Sequence, residues 1–258
     1  LYREPTAEPY LLRMVRDRAA DLSAPSAIAL ARMNTREAEP LLLDMLTGLN
    51  EDKAKAAARA LTILGGDSVV RSLHQMLDEQ TGLARYRIIE VLFRLDDAKG
   101  KELMKKESLA IPTLSFEAAL CLAPQGDLSA MDVLRARLSD RYDIQMNVLE
   151  MRAKAAGALI QGGDRSQIAA LQELLRLDFP DLREPAAGAY IKGIVALVSR
   201  VVIQTDLHPL MDIMQPILLS QYPEARISAA SAILSLGDPA FRQRTLEHIP
   251  AAYWSTGC

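Results

Sequence analysis

Two cysteines in 258 residues, Cys121 and Cys258, are too few to staple a fold, because disulfide scaffolds are small and cysteine-dense. Aromatic residues make up only 5% of the chain, which leaves little for stacking nucleobases. No sign of charge dominates: 30 Lys and Arg stand against 33 Asp and Glu, a formal net charge of −3. With a pI of about 5.7, the chain has no global positive field for nucleic acid or anionic lipid, although a local basic patch is compatible with that balance. Long hydrophobic runs are missing too. The most apolar stretch, residues 185–204, is interrupted by Lys192 and Arg200, whereas a spanning helix needs about 20 mostly apolar residues. No secretory signal is visible. The chain opens at Leu1 rather than Met, which fits a removed leader or a piece of a longer protein. Half the residues are apolar and 24% are charged, which excludes a disordered chain.

What the sequence has is repetition. Segments ending at Asp67 (AAARALTILGGD), Asp164 (AAGALIQGGD) and Asp238 (AASAILSLGD) share small apolar residues, a short turn and an acid. Weaker copies end at Asp97 and Asp127. With this turn residue as register, the marks fall at Thr35, Asp67, Asp97, Asp127, Asp164, Asp206 and Asp238, at intervals of 32, 30, 30, 37, 42 and 32. A cation stands twelve residues before four of them: Lys55, Arg85, Arg152 and Arg226. Ser23, Ser115 and Ile194 break that rule.

Ala and Leu at 3–4 residue spacing give a helix with a narrow apolar face that lets neighbours approach closely. Gly65–Gly66, Gly162–Gly163 and Gly237 are placed to end each first helix in the left-handed backbone. The following Asp is expected to cap the second helix, and the upstream cation to pair with an Asp of the same or the next repeat, or else to be solvated. The second helices are amphipathic: Ile168, Leu171, Leu174 and Leu175 share a face, as do Met131, Leu134 and Leu138. Period-2 alternation is scarce, so strands are not expected. Residues 7–12 (AEPYLL) match residues 38–43 (AEPLLL), a second helix. The chain is therefore expected to open on a second helix whose partner is missing, as a fragment of a longer solenoid or multidomain protein would.

These residues resemble the HEAT-repeat family, particularly the short bacterial form similar to the repeats of phycobilin lyases: a basic residue, an Ala-rich first helix, Leu-Gly-Asp, then a Leu-rich second helix. The best copies are residues 226–238 (RISAASAILSLGD) and 55–67. The match covers about residues 6–249, and the copies near Asp206 and Asp127 depart most from it. The resemblance implies an all-α fold, a right-handed α-solenoid of about six to seven HEAT-like helix pairs in one domain, residues 1–258. It also implies that second helices line a concave face where partners bind.

Catalytic chemistry finds no foothold in the motifs. His74, His208 and His248 sit in different repeats. HExxH and the His-Glu pairs of the HEAT-repeat hydroxylases are both missing, so no metal site is expected. The Gly-Gly-Asp turns match neither phosphate-loop pattern, and no Gly-x-Ser-x-Gly elbow exists. Cys121, on an Ala-rich helix, reads as a small core residue. Asp96–Asp97 and Glu51–Asp52 read as caps before they read as acid–base pairs.

Surface remains. Aligned by their apolar positions, the second helices stack His74, Lys105, Arg135 and Gln172 one above another, facing the groove that the resemblance implies. With Arg71, Lys101 and Arg137 they make its middle basic, suited to an acidic peptide, against the plainer reading of a solvated helix face. The long repeats carry extra residues at 139–147 and 176–185, where Tyr142 and Phe179 are candidate loop anchors. The expectation is a non-catalytic, cytoplasmic scaffold that binds a protein or peptide, without cofactor or small-molecule substrate. A bilin-lyase-like enzyme or chaperone is the alternative, and a nucleic-acid-binding solenoid the second.

Overall fold

The structure, a computed structural model, describes residues 7–17, 22–138, 146–176, 184–205, 214–219, 223–236, 239 and 242–243. Every element among them is helical, and no strand occurs among the described residues. The chain divides into two compact units, Leu1–Ala118 and Ala119–Cys258.

The first unit holds α1 (Glu8–Arg16), α2 (Ser23–Arg32), a 3-10 turn (Arg36–Ala38), α3 (Glu39–Thr47), α4 (Glu51–Leu64), α5 (Gly66–Leu77), α6 (Gly82–Arg94) and α7 (Ala98–Leu103). A π turn, Met104–Ser108, continues α7. The helix α8 (Ser115–Leu122) spans the boundary. The second unit holds a 3-10 turn (Ala123–Gln125), α9 (Leu128–Leu138), α10 (Met146–Gln161), a 3-10 turn (Arg165–Gln167), α11 (Ile168–Arg176), α12 (Glu184–Thr205), a 3-10 turn (Gln215–Leu219) and α13 (Pro223–Leu236).

Within the first unit α4 packs between α2 and α6, and α3 lies against both α4 and α6. Within the second, α12 packs between α10 and α13, and α9 and α11 lie against α10. Small residues make this layer of first helices possible. Ala54, Ala57 and Ala60 on α4, and Ala153, Ala155 and Ala156 on α10, are completely buried, so backbones approach where larger side chains would hold them apart. The helices α1 and α3 each run nine residues, begin after an alanine and carry proline in the first turn. Their sequence match is thus a match between like helices.

The turns between first and second helices follow one rule. In each of the five whose residues are described, the residue before the mark has positive φ: Asn34 (59°), Gly66 (88°), Asp96 (65°), Gly126 (80°) and Gly163 (102°). In four of the five the backbone closes the same two bonds. The mark donates to the carbonyl five residues back (Thr35 to Leu30, Asp97 to Leu92, Asp127 to Leu122, Asp164 to Leu159) at 2.9–3.4 Å. The residue before it donates three back, to Ala31, Phe93, Ala123 and Ile160. This is the Schellman closure, which satisfies carbonyls that a helix end leaves unpaired. The exception is the Asp67 turn, where Gly65 N–H donates to the Leu61 carbonyl and α5 starts at once with Gly66.

Two marks cap the helix they precede, as expected: Asp97 Oδ1 accepts from Gly100 N–H at 2.8 Å and Asp127 Oδ1 from Ala130 N–H at 3.1 Å. Two do not. Asp67 lies inside the first turn of α5, and the carboxylate of Asp164 makes no cap bond but takes the Ser166 hydroxyl at 2.6 Å. The apolar faces fall where the periodicity places them. Met131, Leu134 and Leu138 are buried, as are Leu171 and Leu174, while Ile168 and Leu175 are half-buried. No described helix, α12 included, is long and apolar enough to cross a membrane. Asp206, Asp238, Gly237, His208, His248 and Cys258 lie outside the described residues.

Close backbone approach sets a testable contrast between two glycines. A Cβ on Gly162 would stand 2.2 Å from the Ala123 carbonyl oxygen, whereas one on Gly193, within α12, would meet nothing within 4 Å. Gly162→Ala should cost about 1–3 kcal/mol or more, because backbone must move to relieve the overlap. Gly193→Ala should stabilise by up to about 1 kcal/mol through helix propensity. Urea unfolding of both variants beside the wild type reads the opposite signs.

Candidate functional site

The residues aligned as a groove-facing row each follow a buried apolar residue. Leu73, Met104, Leu134 and Leu171 are buried without remainder, and His74, Lys105, Arg135 and Gln172 each follow one of them. Lys105 and Arg135 are exposed, and His74 and Gln172 are half-buried. Arg71 and Arg137 are exposed, and Lys101 is half-buried. Arg71, His74, Lys101 and Lys105 belong to the first unit; Arg135, Arg137 and Gln172 belong to the second. Tyr142 and Phe179 lie outside the described residues.

The sequence reading counts this row as basic, but the structure sets acids against much of it. Arg135 donates from Nε and Nη2 to Asp164 Oδ2 at 3.0 and 2.9 Å, and from Nη1 to Asp132 Oδ1 at 2.9 Å. Lys101 Nζ stands 2.5 Å from Asp96 Oδ1. His74 Nε2 lies 3.1 Å from Asp97 Oδ1, outside the angles of a hydrogen bond, while that oxygen caps α7. Arg71 Nε donates to the Asp67 carbonyl at 3.2 Å. Apart from Asp132, which lies on α9 itself, the acids are the turn residues themselves or their neighbours. Two of the contacts, His74 with Asp97 and Arg135 with Asp164, run from a second helix to the turn of the following repeat. Arg36 does the same with its guanidinium, donating to the Gly65 carbonyl at 2.6 Å.

Of the cations twelve residues before the marks, Lys55 is largely solvated, as the plainer expectation has it, and Arg85 and Arg152 find partners other than the expected Asp. None of Lys55, Arg85 and Arg152 takes a turn Asp. Arg85 forms a two-pronged pair with Glu107 at 2.9 and 3.1 Å, and its third nitrogen donates to the Leu77 carbonyl. Arg152 Nη2 stands 3.5 Å from Glu173. Lys55 pairs at 2.7 Å with Glu51, one turn earlier on an exposed face. For Arg85 and Arg152 the partner is thus a glutamate on the second helix of the same repeat.

Two further residues escaped the sequence reading. Arg87, buried on α6, donates to the Gly48 carbonyl at 2.8 Å and more weakly to Leu46. Glu39, buried on α3, accepts from the Ser68 and Ser72 hydroxyls of α5 at 3.1 and 2.9 Å. The separation of about one repeat, 29 residues for Arg36–Gly65, Glu39–Ser68 and Arg135–Asp164 alike, is the signal that would have found such pairs. Among the described residues no group of three His, Cys, Asp or Glu side chains converges as metal ligands would. Cys121 is a half-buried thiol on α8, outside any disulfide.

The Ser166 hydroxyl and then the Arg135 guanidinium hold the Asp164 carboxyl below its ordinary value of 3.8. A depressed native value means that the interaction contributes fully above that ordinary value. The contribution is lost as pH falls below it, through the native value. Wild type should therefore lose stability on acidification below about pH 4 more steeply than Asp164→Asn, which has no carboxylate to protonate. Equal slopes in pH-dependent urea midpoints would contradict this.

No protein-family model matches the chain, and no curated protein matches it.

Proposed function

We propose that the chain is a non-catalytic interaction scaffold of HEAT-like helix pairs, wound as a right-handed α-solenoid of about six to seven repeats, which holds a protein or peptide partner along its second helices. The observation that carries this reading is the pattern shared by four second helices, in which a polar residue follows a completely buried apolar one at Leu73, Met104, Leu134 and Leu171. A ladder of like positions suits an extended partner, which meets one side chain per repeat. Side-by-side first helices and the recurring left-handed turn support the HEAT-like assignment.

The pairing of Arg135 and Lys101 with acids shifts the expected hot spots. A partner of acidic character is expected to meet exposed Arg137 in place of Arg135, whose guanidinium is engaged by Asp164 and Asp132, with Lys105 kept from the original row. A capture experiment should therefore use Lys105→Glu/Arg137→Glu. The expected result is a protein retained by wild type and lost by the variant, with both melting at similar temperature. Turnover of a small molecule, a spectral shift on mixing with a bilin, or nucleic-acid binding that weakens steeply with salt would replace this reading with another.

Shape supplies a second check. A compact domain of 258 residues has a radius of gyration of about 18 Å. Small-angle scattering should give a clearly larger value for a solenoid, and a value at the compact limit would overturn it.

A further inference from the structure

We propose that the first unit carries a peptide-binding pocket where the C-terminal ends of α1 and α3 meet the first turn of α4, and that its occupant is an aliphatic side chain flanked by carboxylates. The proposal rests on the scaffold reading and gives it a second point of contact with stated chemistry.

The pocket has a volume of about 450 Å³, within the range of sites that hold small groups. Leu41, Met45 and Leu49 give it an apolar wall, while Arg16, Lys53 and Asp44 bring charge to the lining. Two cations against one acid leave an excess of positive charge, which a carboxylate complements.

The frame of the pocket is fixed before anything binds. Arg87 reaches from α6 and holds the Gly48 carbonyl at 2.8 Å. Asn50 Oδ1 accepts from Lys53 N–H at 3.0 Å and so starts α4. Between these two anchors stands Leu49, fully exposed. A short turn tied on both sides presents a bare leucine at the mouth, and little ordering entropy remains for a ligand to overcome. Met45 beside it adapts its shape to what enters. Because Leu49 lines the pocket and is also fully exposed, the mouth is open there. A peptide chain can run across it while one side chain enters.

The test is a titration of the full chain, read by methyl resonances of Leu41, Met45 and Leu49. The probes are the blocked hexapeptide AELEAA, its lysine counterpart AKLKAA, and hexanoate. The expected result is a saturable shift of all three residues with AELEAA, weakened about tenfold or more in Arg16→Glu and in Leu49→Ser, neither of which touches the core. No shift at millimolar AELEAA, or equal binding of AKLKAA, overturns the proposal. Binding of hexanoate without the peptide overturns the peptide as occupant. A captured partner that Lys105→Glu/Arg137→Glu loses, together with an unresponsive pocket, leaves the scaffold reading standing and removes this one. Failure of both experiments removes both.

Discussion

The left-handed residue that ends the first helix in all five described turns is the constraint on which the rest depends. One backbone unit with positive φ turns the chain, closes two hydrogen bonds onto the helix just finished, and delivers the next residue to the start of the second helix. Asn34, Asp96, Gly126 and Gly163 all do this with the same bonds. The closure leaves the buried leucines Leu30, Leu92, Leu122 and Leu159 at matching depth, because each supplies the carbonyl that the mark's N–H takes. The second helix then leaves the turn in a fixed register. That register is why Met104, Leu134 and Leu171, each seven residues after its mark, point inward and the next residue points out; Leu73, six residues after Asp67, follows the turn that closes differently.

The acids that mark the turns have a second use. Asp97 caps α7 and stands beside His74; Asp164 takes Ser166 and Arg135; Asp96 faces Lys101. Exposed ion pairs of this kind contribute little to stability, of the order of 0–1 kcal/mol. Their effect lies in holding side chains in place and in cancelling charge. Several of the residues read from the sequence as a basic row therefore have their charge balanced by acids within their own unit. Arg85 and Glu107 differ, since two parallel bonds fix both side chains in one plane.

Much of the helical register was legible in the sequence, because the apolar spacing and the turn acid repeat together. The conformation of the turns was legible only where glycine advertised it. Asn34 and Asp96 adopt the same left-handed backbone without glycine, which short polar side chains tolerate, and the sequence reading passed over them. The partners of the cations were not legible, because spacing places a side chain on a helix but does not say how far it reaches. Glu107 and Glu173 stand ten and nine residues after Asp97 and Asp164, an offset that means something only when the second helix is known to lie beside the first. The pocket was further still from sight, since it is assembled from the ends of three helices and no single segment carries its pattern.

The two kinds of turn are held by different means, and this explains where the repeats vary in length. In four of the five described turns from first to second helix the backbone makes the closure, and one added residue would break both of its bonds; the Asp67 turn, where Arg36 takes the Gly65 carbonyl, is the exception. The turn from second to first helix is closed from outside. The end of α3 has an extended backbone at Gly48, and its carbonyls go to Arg87; the end of α5 gives its Leu77 carbonyl to Arg85. A long side chain reaching over from the next helix tolerates a change in loop length that a backbone closure does not. The extra residues of the long repeats, 139–147 and 176–185, belong to connections from a second helix to the next first helix, α9 to α10 and α11 to α12, as does the turn that carries Leu49 between α3 and α4. Added residues at these two places thus fall in the class of connection that does not depend on an unbroken backbone closure.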